Sequence, residues 1–383
     1  MRAVGLIAEF NPLHFGHVYA LEQARQRTGA DVVVVVMSGN FVQRGEPAIL
    51  DKWHRAKLAL AHGADLVVEL PVTDAVQAAD EFAQGAFAHL EALGVDQLVF
   101  GTENPTLDYM ALAQAIDTQA PQTDLFRDFT QTYASQVNRY FQTITDHDLT
   151  ASNTILGLTY ARANARLRQP LTLIPIARQG VAHDAEYSVD GYMSASAIRQ
   201  AVWNGDEAVG VPTDTALALK QRNQMQWNRL YPLLKYRLQT SRIEELQAIY
   251  TMSEGLEYRL TQQVASAFGF EDFLTAVKSK RYTFARLRRL ALYTLLNLTT
   301  TEVKWAQTHR FLHVLGFTST GREYLHQVKK SISLPLVTRV SQAMVAPTRR
   351  LALVHRSDQI LALSGPQNFG HPPIMIESNR KED

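Results

Sequence analysis

The sequence predicts an α/β fold: a doubly wound parallel sheet followed by a mainly helical C-terminal domain. Two observations carry this. Short apolar runs alternate with stretches of helical spacing from the N-terminus to about Ala177, the pattern of βαβ units. One of those runs, Val32-Val33-Val34-Val35-Val36, is five β-branched residues in succession. Such a run fits a strand covered on both faces, as in a parallel sheet.

The elements follow in order. Ala3 to Ala8 reads as a first buried strand ending in the turn residues Asn11-Pro12. Val18, Leu21 and Ala24 lie along one face of a helix reaching Arg27. After the valine strand, Asp51 to His62 is a helix with Asp51 as N-cap and Gly63 as its stop. Leu66-Val67-Val68 is the third strand, Asp74 to Leu93 one long helix closed by Gly94, and Gln97 to Phe100 the fourth strand. Helices are expected between Pro105 and Arg168, a fifth strand at Thr172 to Ala177, and a helix opening at Ser194. Beyond Gly205 the spacing is helical, notably at Met225–Leu238, Glu257–Phe268 and Phe284–Leu298. A boundary near Asn204-Gly205 divides a catalytic domain, 1–205, from a basic helical domain, 206–383.

Composition bounds the function. The chain has 383 residues, 46% of them hydrophobic and none of them cysteine. Disulfide and thiolate chemistry are therefore excluded. No run approaches the roughly 20 apolar residues of a membrane span, and the N-terminal apolar run is too short for a signal peptide. A cytoplasmic location is expected. The formal net charge of +1 hides a split. Residues 1–200 carry 14 Lys/Arg against 22 Asp/Glu, and residues 201–383 carry 24 against 15. An acidic half and a basic half point to a polyanionic partner for the latter.

The chemistry lies between the first strand and the first helix, in Ile7-Ala8-Glu9-Phe10-Asn11-Pro12-Leu13-His14-Phe15-Gly16-His17-Val18-Tyr19-Ala20. Ligands of doubly wound sheets bind beyond the carboxyl ends of the strands. A helix beginning near Gly16 offers unpaired N–H groups and the positive end of its dipole, which suit an anion. Gly16 carries no Cβ to keep a nucleotide from the backbone. His14 and His17 are three apart and point the same way on one turn. Two imidazoles beside a helix N-terminus can hold phosphates and stabilise the charge of nucleotidyl transfer. A metal pair is the competing reading, but no third ligand stands nearby in the sequence, so no protein metal site is expected. A second element, Met193-Ser194-Ala195-Ser196-Ala197-Ile198-Arg199, combines a helix start with an arginine one turn further in. Ser194 or Ser196 can cap the helix, and the hydroxyls of Ser194 and Ser196, the helix N–H groups and Arg199 together can form a second phosphate clamp for ATP. Catalysis is accordingly expected of His14, His17 and Arg199.

Together these elements resemble the nucleotidylyltransferase superfamily that carries His-x-Gly-His and a serine/threonine-arginine motif. The ordered segments AVGLIAEFNPLHFGH, VMSGNFVQRGEPA, HGADLVVELP, FGTEN, SNTILG and SASAIR, with KRYTFARLRR later in the chain, are similar to the bacterial tRNA(Met) cytidine acetate ligase family. SASAIR lacks the threonine alternative, which matters little for capping. The resemblance implies a nucleotidylyltransferase-like sheet. It also implies a reaction in which acetate and ATP give acetyl-adenylate and pyrophosphate, and the acetyl group then passes to N4 of the wobble cytidine of elongator tRNA(Met). It implies ATP contacts from the run Ile7 to Ala20 and from Gly101, Asn153 and Arg178. Magnesium is expected with the ATP, held through its phosphates.

The basic half supplies a platform for the RNA. Lys220, Arg222, Arg229, Lys235, Arg237 and Arg242 form one run without an acid, interleaved with Trp227, Tyr231 and Tyr236; Lys278, Lys280, Arg281, Arg286, Arg288 and Arg289 form another. Basic side chains neutralise phosphates and aromatic faces stack on unpaired bases. Arg229, Lys235, Arg237, Lys280, Arg281, Arg286 and Arg289 are the candidate tRNA contacts, and Arg44 or Lys57 could approach the carboxylate substrate or the tRNA. The alternative function is a small-molecule adenylyltransferase releasing pyrophosphate, which needs no basic helical half. A class I aminoacyl-tRNA synthetase would need a Lys-Met-Ser-Lys-Ser loop, for which Lys278-Ser279-Lys280 is a poor substitute.

Overall fold

The five valines lie in the middle of an eight-stranded sheet ordered β5-β4-β1-β2-β3-β6-β7, with β8 also pairing β6. A computed structural model describes residues 1–118, 151–178, 193–221, 224–365 and 370–377. The sheet half comprises β1 (Ala3–Ala8), α1 (Phe15–Thr28), β2 (Val32–Ser38), α2 (Lys52–Ala61), β3 (Leu66–Leu70), α3 (Val72–Ala75), α4 (Ala79–Ala92), β4 (Gln97–Thr102), α5 (Tyr109–Thr118), α6 (Ser152–Asn164), β5 (Thr172–Ala177) and α7 (Ala195–Asn204). Helices α8 (Thr213–Gln221), α9 (Trp227–Thr240), α10 (Ile243–Gln247), α11 (Leu256–Val264), α12 (Phe270–Val277), α13 (Phe284–Leu295) and α14 (Thr300–Thr308) follow. The chain ends with β6 (Leu312–Thr318), α15 (Ser319–Val328), β7 (Leu336–Val337), α16 (Gln342–Val345), α17 (Ala352–Ala362) and β8 (Ile374–Ile376).

Strands β1 to β5 are parallel. Their two faces build two separate cores. Val32, Val34 and Val36 face α4, α5 and α6 together with Leu66 and Val68. Val33, Val35 and Met37 face α1, α2 and α7 together with Val4 and Leu6. The alternation explains why the run needs no polar position. The helices from α9 to α14 bury a third core of their own, in which Trp227 stacks on Phe270 at 3.9 Å between ring centroids.

Three features differ from the sequence reading. The expected helix Asp74–Leu93 is two helices, α3 and α4. It is interrupted at Val76, whose carbonyl accepts from the buried Tyr293 hydroxyl instead of continuing the helical ladder. The mainly helical stretch after Gly205 is present, but the chain then returns to the sheet, which the sequence reading did not anticipate. Strand β6 lies antiparallel to β3, and β7 and β8 lie parallel to β6. Its sequence, LHVLGFT, carries a histidine and a glycine and is buried along almost its whole length, so it shows no clean alternation. Asn153, which reads from the sequence as preceding a helix, lies inside the first turn of α6. Arg222, named in the first basic run, falls outside the described residues.

The returning segment is tied to the sheet by buried charges. Lys52 Nζ donates to Glu69 Oε1 at 2.9 Å and to Asp358 Oδ2 at 2.8 Å; His313 Nδ1 lies 2.6 Å from Glu69 Oε2, and Asn40 Nδ2 donates to Asp358 Oδ1 at 2.8 Å. Burial alone would raise the Glu69 carboxyl, but Lys52 and His313 overcome it and hold it well below the usual carboxylate range. The network spans β3, β6, α2 and α17. Removing one partner strands the others in low dielectric. Lys52→Ala is expected to lower the free energy of unfolding by about 3–5 kcal/mol, read from urea denaturation. A loss below about 1 kcal/mol, the range of an exposed pair, would show that the network is not shielded from water.

Candidate active site

In the strand order β5-β4-β1-β2-β3 the chain winds outward from β1 through β2 to β3 and then crosses back to β4. The switch between β1 and β4 opens a crevice at their carboxyl ends. The loop from Glu9 to His14 leaves β1 there. Its shape is fixed from below: Asn11 Oδ1 accepts from Ile49 N–H at 2.8 Å, while Phe10 and Leu13 are buried in the core with the α1 and α2 side chains. Within the run expected to contact ATP, Phe10 and Leu13 are thus committed to the core. Val18, Tyr19 and Ala20 are partly buried against the same core, Ile7 packs against the core on the other face, and Phe15 is exposed.

His14 is the N-cap of α1 and His17 its third residue. Their rings stack at 3.7 Å with a 20° tilt, and Phe10 meets His17 edge-on at 5.0 Å. His14 N–H donates to His17 Nδ1 at 3.3 Å. An imidazole nitrogen that accepts carries no proton, so the proton of neutral His17 sits on Nε2. Burial, with the Arg178 charge behind it, holds His14 at about 4. Burial, His14 and Arg178 hold His17 well below its ordinary value. Both rings are therefore neutral at pH 7. In the first turn of α1, Phe15 N–H is taken by the Gly210 carbonyl at 3.1 Å and His17 N–H by the His14 carbonyl at 2.8 Å. Gly16 N–H has no such acceptor among the described residues, which leaves a donor at the positive end of the helix.

The second motif meets the first. Ser194 caps α7 by accepting from Ala197 N–H at 3.2 Å, with Ser196 Oγ 3.1 Å away from its own oxygen. Arg199, one turn on, donates to the Asn11 carbonyl at 2.8 Å and to Glu46 Oε2 at 3.1 Å. Its Nε is buried with no hydrogen-bond partner among the described residues. On the opposite side, Gly101 lies in the last residues of β4 beside Arg178: a Cβ there would stand 3.2 Å from Arg178 Cγ, so the glycine makes room for the arginine stem. The Arg178 side chain is exposed, and its N–H joins the Thr102 carbonyl. Asn153 reaches the same end of the sheet through Glu103, which accepts from its Nδ2 at 2.7 Å.

Three residues that the sequence reading did not single out shape this site: Arg55, Glu46 and Glu103. Arg55 is buried and donates to the carbonyls of Glu9, Ser38, Gly39 and Leu50. Glu46 shares its carboxylate between Arg199 and, at 3.5 Å, Arg288 of α13. Among these the signal was thin: Glu46 stands in a quoted segment, but a charged loop residue gives no sign of two partners distant in sequence. Gly45 beside it has φ +80°, and a Cβ there would meet Arg289 N at 2.6 Å. This close approach, with the Trp227 Nε1 bond to the Gly45 carbonyl at 2.8 Å, docks the loop after β2 onto the helical half. Arg44 is exposed on that loop and Lys57 exposed on α2.

The basic runs are less bare in space than in sequence. Arg281 pairs with Glu254 at 2.6 Å, and Arg288 with Glu271 at 3.2 Å as well as with Glu46. Lys235 lies 3.3 Å from the Ala265 and Ala267 carbonyls, and Arg237 donates to Asn297 Oδ1 at 2.8 Å. Arg286 lies 4.6 Å over the Tyr282 ring and donates to Ser253 Oγ at 3.2 Å. Arg229 and Lys280 are exposed. Arg289 is half-buried on α13, within the field of Arg44 and Arg286.

Comparison with known proteins follows the geometry. A family model described as HIGH Nucleotidyl Transferase matches residues 1–371. The tRNA(Met) cytidine acetate ligase of Latilactobacillus sakei is 45% identical over 98% of this chain and 97% of its own length. That of Lactobacillus acidophilus is 46% identical over 98% and 100%. The crystal structure of apo Thermotoga maritima TmcAL superposes with a TM-score of 0.86 at 29% identity, covering 99% of this chain and 100% of that one. The same protein bound with alpha-thio ATP gives 0.85 at the same identity and coverage.

The histidine geometry sets an acid sensitivity. Unfolded imidazoles take up protons near pH 6.5, whereas the folded His14 waits until about 4. Between these values the unfolded state holds more protons, so stability falls as pH drops. Melting temperature is expected to decline from pH 7 to 4.5, with a shallower decline in the His14→Gln/His17→Gln variant. An NMR titration of the His14 ring with a midpoint near 6.5 would contradict the buried, neutral assignment.

Proposed function

The chain belongs to the tRNA(Met) cytidine acetate ligase family, within the HIGH nucleotidyl transferases, and from that premise we propose that it activates acetate with ATP and acetylates N4 of the wobble cytidine of elongator tRNA(Met). The observation that carries this is the pair of neutral, stacked imidazoles at the N-terminus of α1 with Arg199 anchored on the same loop.

In the first step an acetate oxygen attacks the α-phosphorus, the bond to the bridging oxygen breaks, and pyrophosphate leaves. Negative charge grows on the α-phosphoryl oxygens and on the leaving group. His14 and His17, held neutral, act there as hydrogen-bond donors in a site fixed before the reaction, which is where electrostatic stabilisation is most effective. Gly16 N–H and the α1 dipole add to it. Arg199 leaves Glu46 for the departing phosphates, its planar fork suited to them. In the second step the cytidine 4-amino group attacks the acetyl carbonyl, AMP departs and the nitrogen loses a proton. Magnesium is proposed to arrive with the triphosphate. Its oxygens are the ligands that magnesium ordinarily takes alongside water.

The division of labour proposed here gives nucleotide chemistry to residues 1–205 and tRNA contact to the basic helices beyond 206. Of the seven candidates, Arg281 already faces Glu254, Lys235 the Ala265 and Ala267 carbonyls, and Arg237 Asn297, so phosphate contact is assigned first to Arg229, Lys280, Arg286 and Arg289. No helix among the described residues is long and apolar enough to cross a membrane. A small-molecule adenylyltransferase would leave that basic surface without use.

Two measurements test the reading. His17→Ala is expected to reduce acetate-dependent pyrophosphate release about 100- to 1000-fold with an unchanged melting curve; near-normal turnover would remove His17 from the chemistry. Arg286→Glu with Arg289→Glu is expected to spare acetyl-adenylate formation while abolishing tRNA acetylation and flattening the salt dependence of tRNA binding. Unaltered tRNA affinity and slope would favour the small-molecule adenylyltransferase.

A further inference from the structure

Glu103 follows β4 directly and is bound to the first turn of α6. Its Oε1 lies 2.7 Å from Asn153 Nδ2; its Oε2 accepts from Thr154 N–H at 3.0 Å and lies 3.3 Å from Thr154 Oγ1. An ionised carboxylate can only accept. The end of the Asn153 amide facing Glu103 must therefore be its NH2 group, although the two ends are nearly alike in shape. Oδ1 is left as an acceptor, with no donor among the described residues. Burial would raise the Glu103 carboxyl, but the bond from Asn153, the neighbouring N–H groups and Arg178 outweigh it and keep the group ionised at neutral pH.

Position gives this amide a task. Arg178 is joined to the end of β4 through the Thr102 carbonyl and lies close enough to His14, His17 and Glu103 for its charge to act on all three. The histidines and the α1 N-terminus occupy the phosphate side of the crevice. A nucleotide lying across the β1/β4 switch puts its base on the β4 side, where Gly101, Glu103 and Asn153 are. Adenine presents a 6-amino donor at the position where guanine presents a 6-oxo acceptor.

We propose that Glu103 is a positioning residue for nucleobase selection: by holding Asn153 Nδ2 it fixes Oδ1 as an acceptor that fits the amino group of adenine and opposes the oxo group of guanine. This rests on reading the crevice as an ATP site. A glutamine at 103 can donate as well as accept, so the Asn153 amide would turn freely and the discrimination would fade.

The test measures direct binding of non-hydrolysable ATP and GTP analogues by calorimetry, without acetate or tRNA. The wild-type protein is expected to favour the ATP analogue, and Glu103→Gln to narrow the ratio of dissociation constants about tenfold, chiefly by tightening the GTP analogue. A purely structural role for Glu103 would weaken both analogues together and leave the ratio unchanged, and that result overturns the proposal. Asn153→Ala is the second variant, read whether or not Glu103→Gln folds. It is expected to weaken the ATP analogue and erase the preference. If Asn153→Ala weakens the ATP analogue but keeps the preference, base selection lies elsewhere and the proposal fails. If the wild-type protein binds neither analogue, the ATP reading fails, and Glu103 loses its role with it.

Discussion

A buried guanidinium holds the carboxyl ends of the first two strands together. Arg55 lies inside the fold and faces main-chain carbonyls: Glu9 at the exit of β1, Ser38 and Gly39 at the exit of β2, and Leu50 before its own helix. Burial outweighs the opposing charges of Asp51, Glu9 and Glu69 and lowers it to about 10, which still leaves it charged at neutral pH. A charge so placed is tolerable only because its donors are met by carbonyls that would otherwise be orphaned where the strands end. The loop bearing the two histidines starts at one of these carbonyls and the loop bearing Glu46 at another. The geometry of both therefore inherits the position of one side chain.

Electrostatics at the crevice follow from that frame. The histidines are kept neutral, so the α1 terminus is a donor array without fixed positive charge. Cationic character is supplied by Arg178 and Arg199. Carboxylates hold the remaining polar groups in place. Glu9 accepts from Gln43 N–H at 2.8 Å, Glu46 joins Arg199 to Arg288, and Glu103 joins β4 to α6. Glu46 reaches both halves, pairing Arg199 of α7 with Arg288 of α13.

The helical half shows how far charge runs in a sequence can be read. Two runs without acids looked like bare basic faces. In the folded chain, acids from other segments, Glu254 and Glu271, come back to meet Arg281 and Arg288. Local sequence gives the charges a helix carries, but ion pairing depends on which helices pack together. The aromatic residues interleaved in the first run divide the same way: Trp227 and Tyr231 are core, while Tyr236 is exposed.

The sequence by itself determined the parallel sheet from β1 to β5, the cap at Asp51, a serine cap at Ser194 or Ser196 that the structure resolves to Ser194, and the histidine pair at the start of α1. Each of these is a local matter: a β-branched run, a capping side chain, two residues three apart on one turn. Tertiary structure alone decided the rest. Strand β6 and the Lys52–Glu69–Asp358 network join residues more than 240 positions apart, or more than 300 in the case of Asp358. Glu103 acquires its meaning only when α6 is laid against the end of β4. At the break between α3 and α4 the Val76 carbonyl is met by a hydroxyl from Tyr293, more than 200 positions away. Periodicity and capping are written within a few residues, whereas a buried polar group is satisfied by whichever partner the packing delivers, and that partner leaves no mark in the neighbouring sequence.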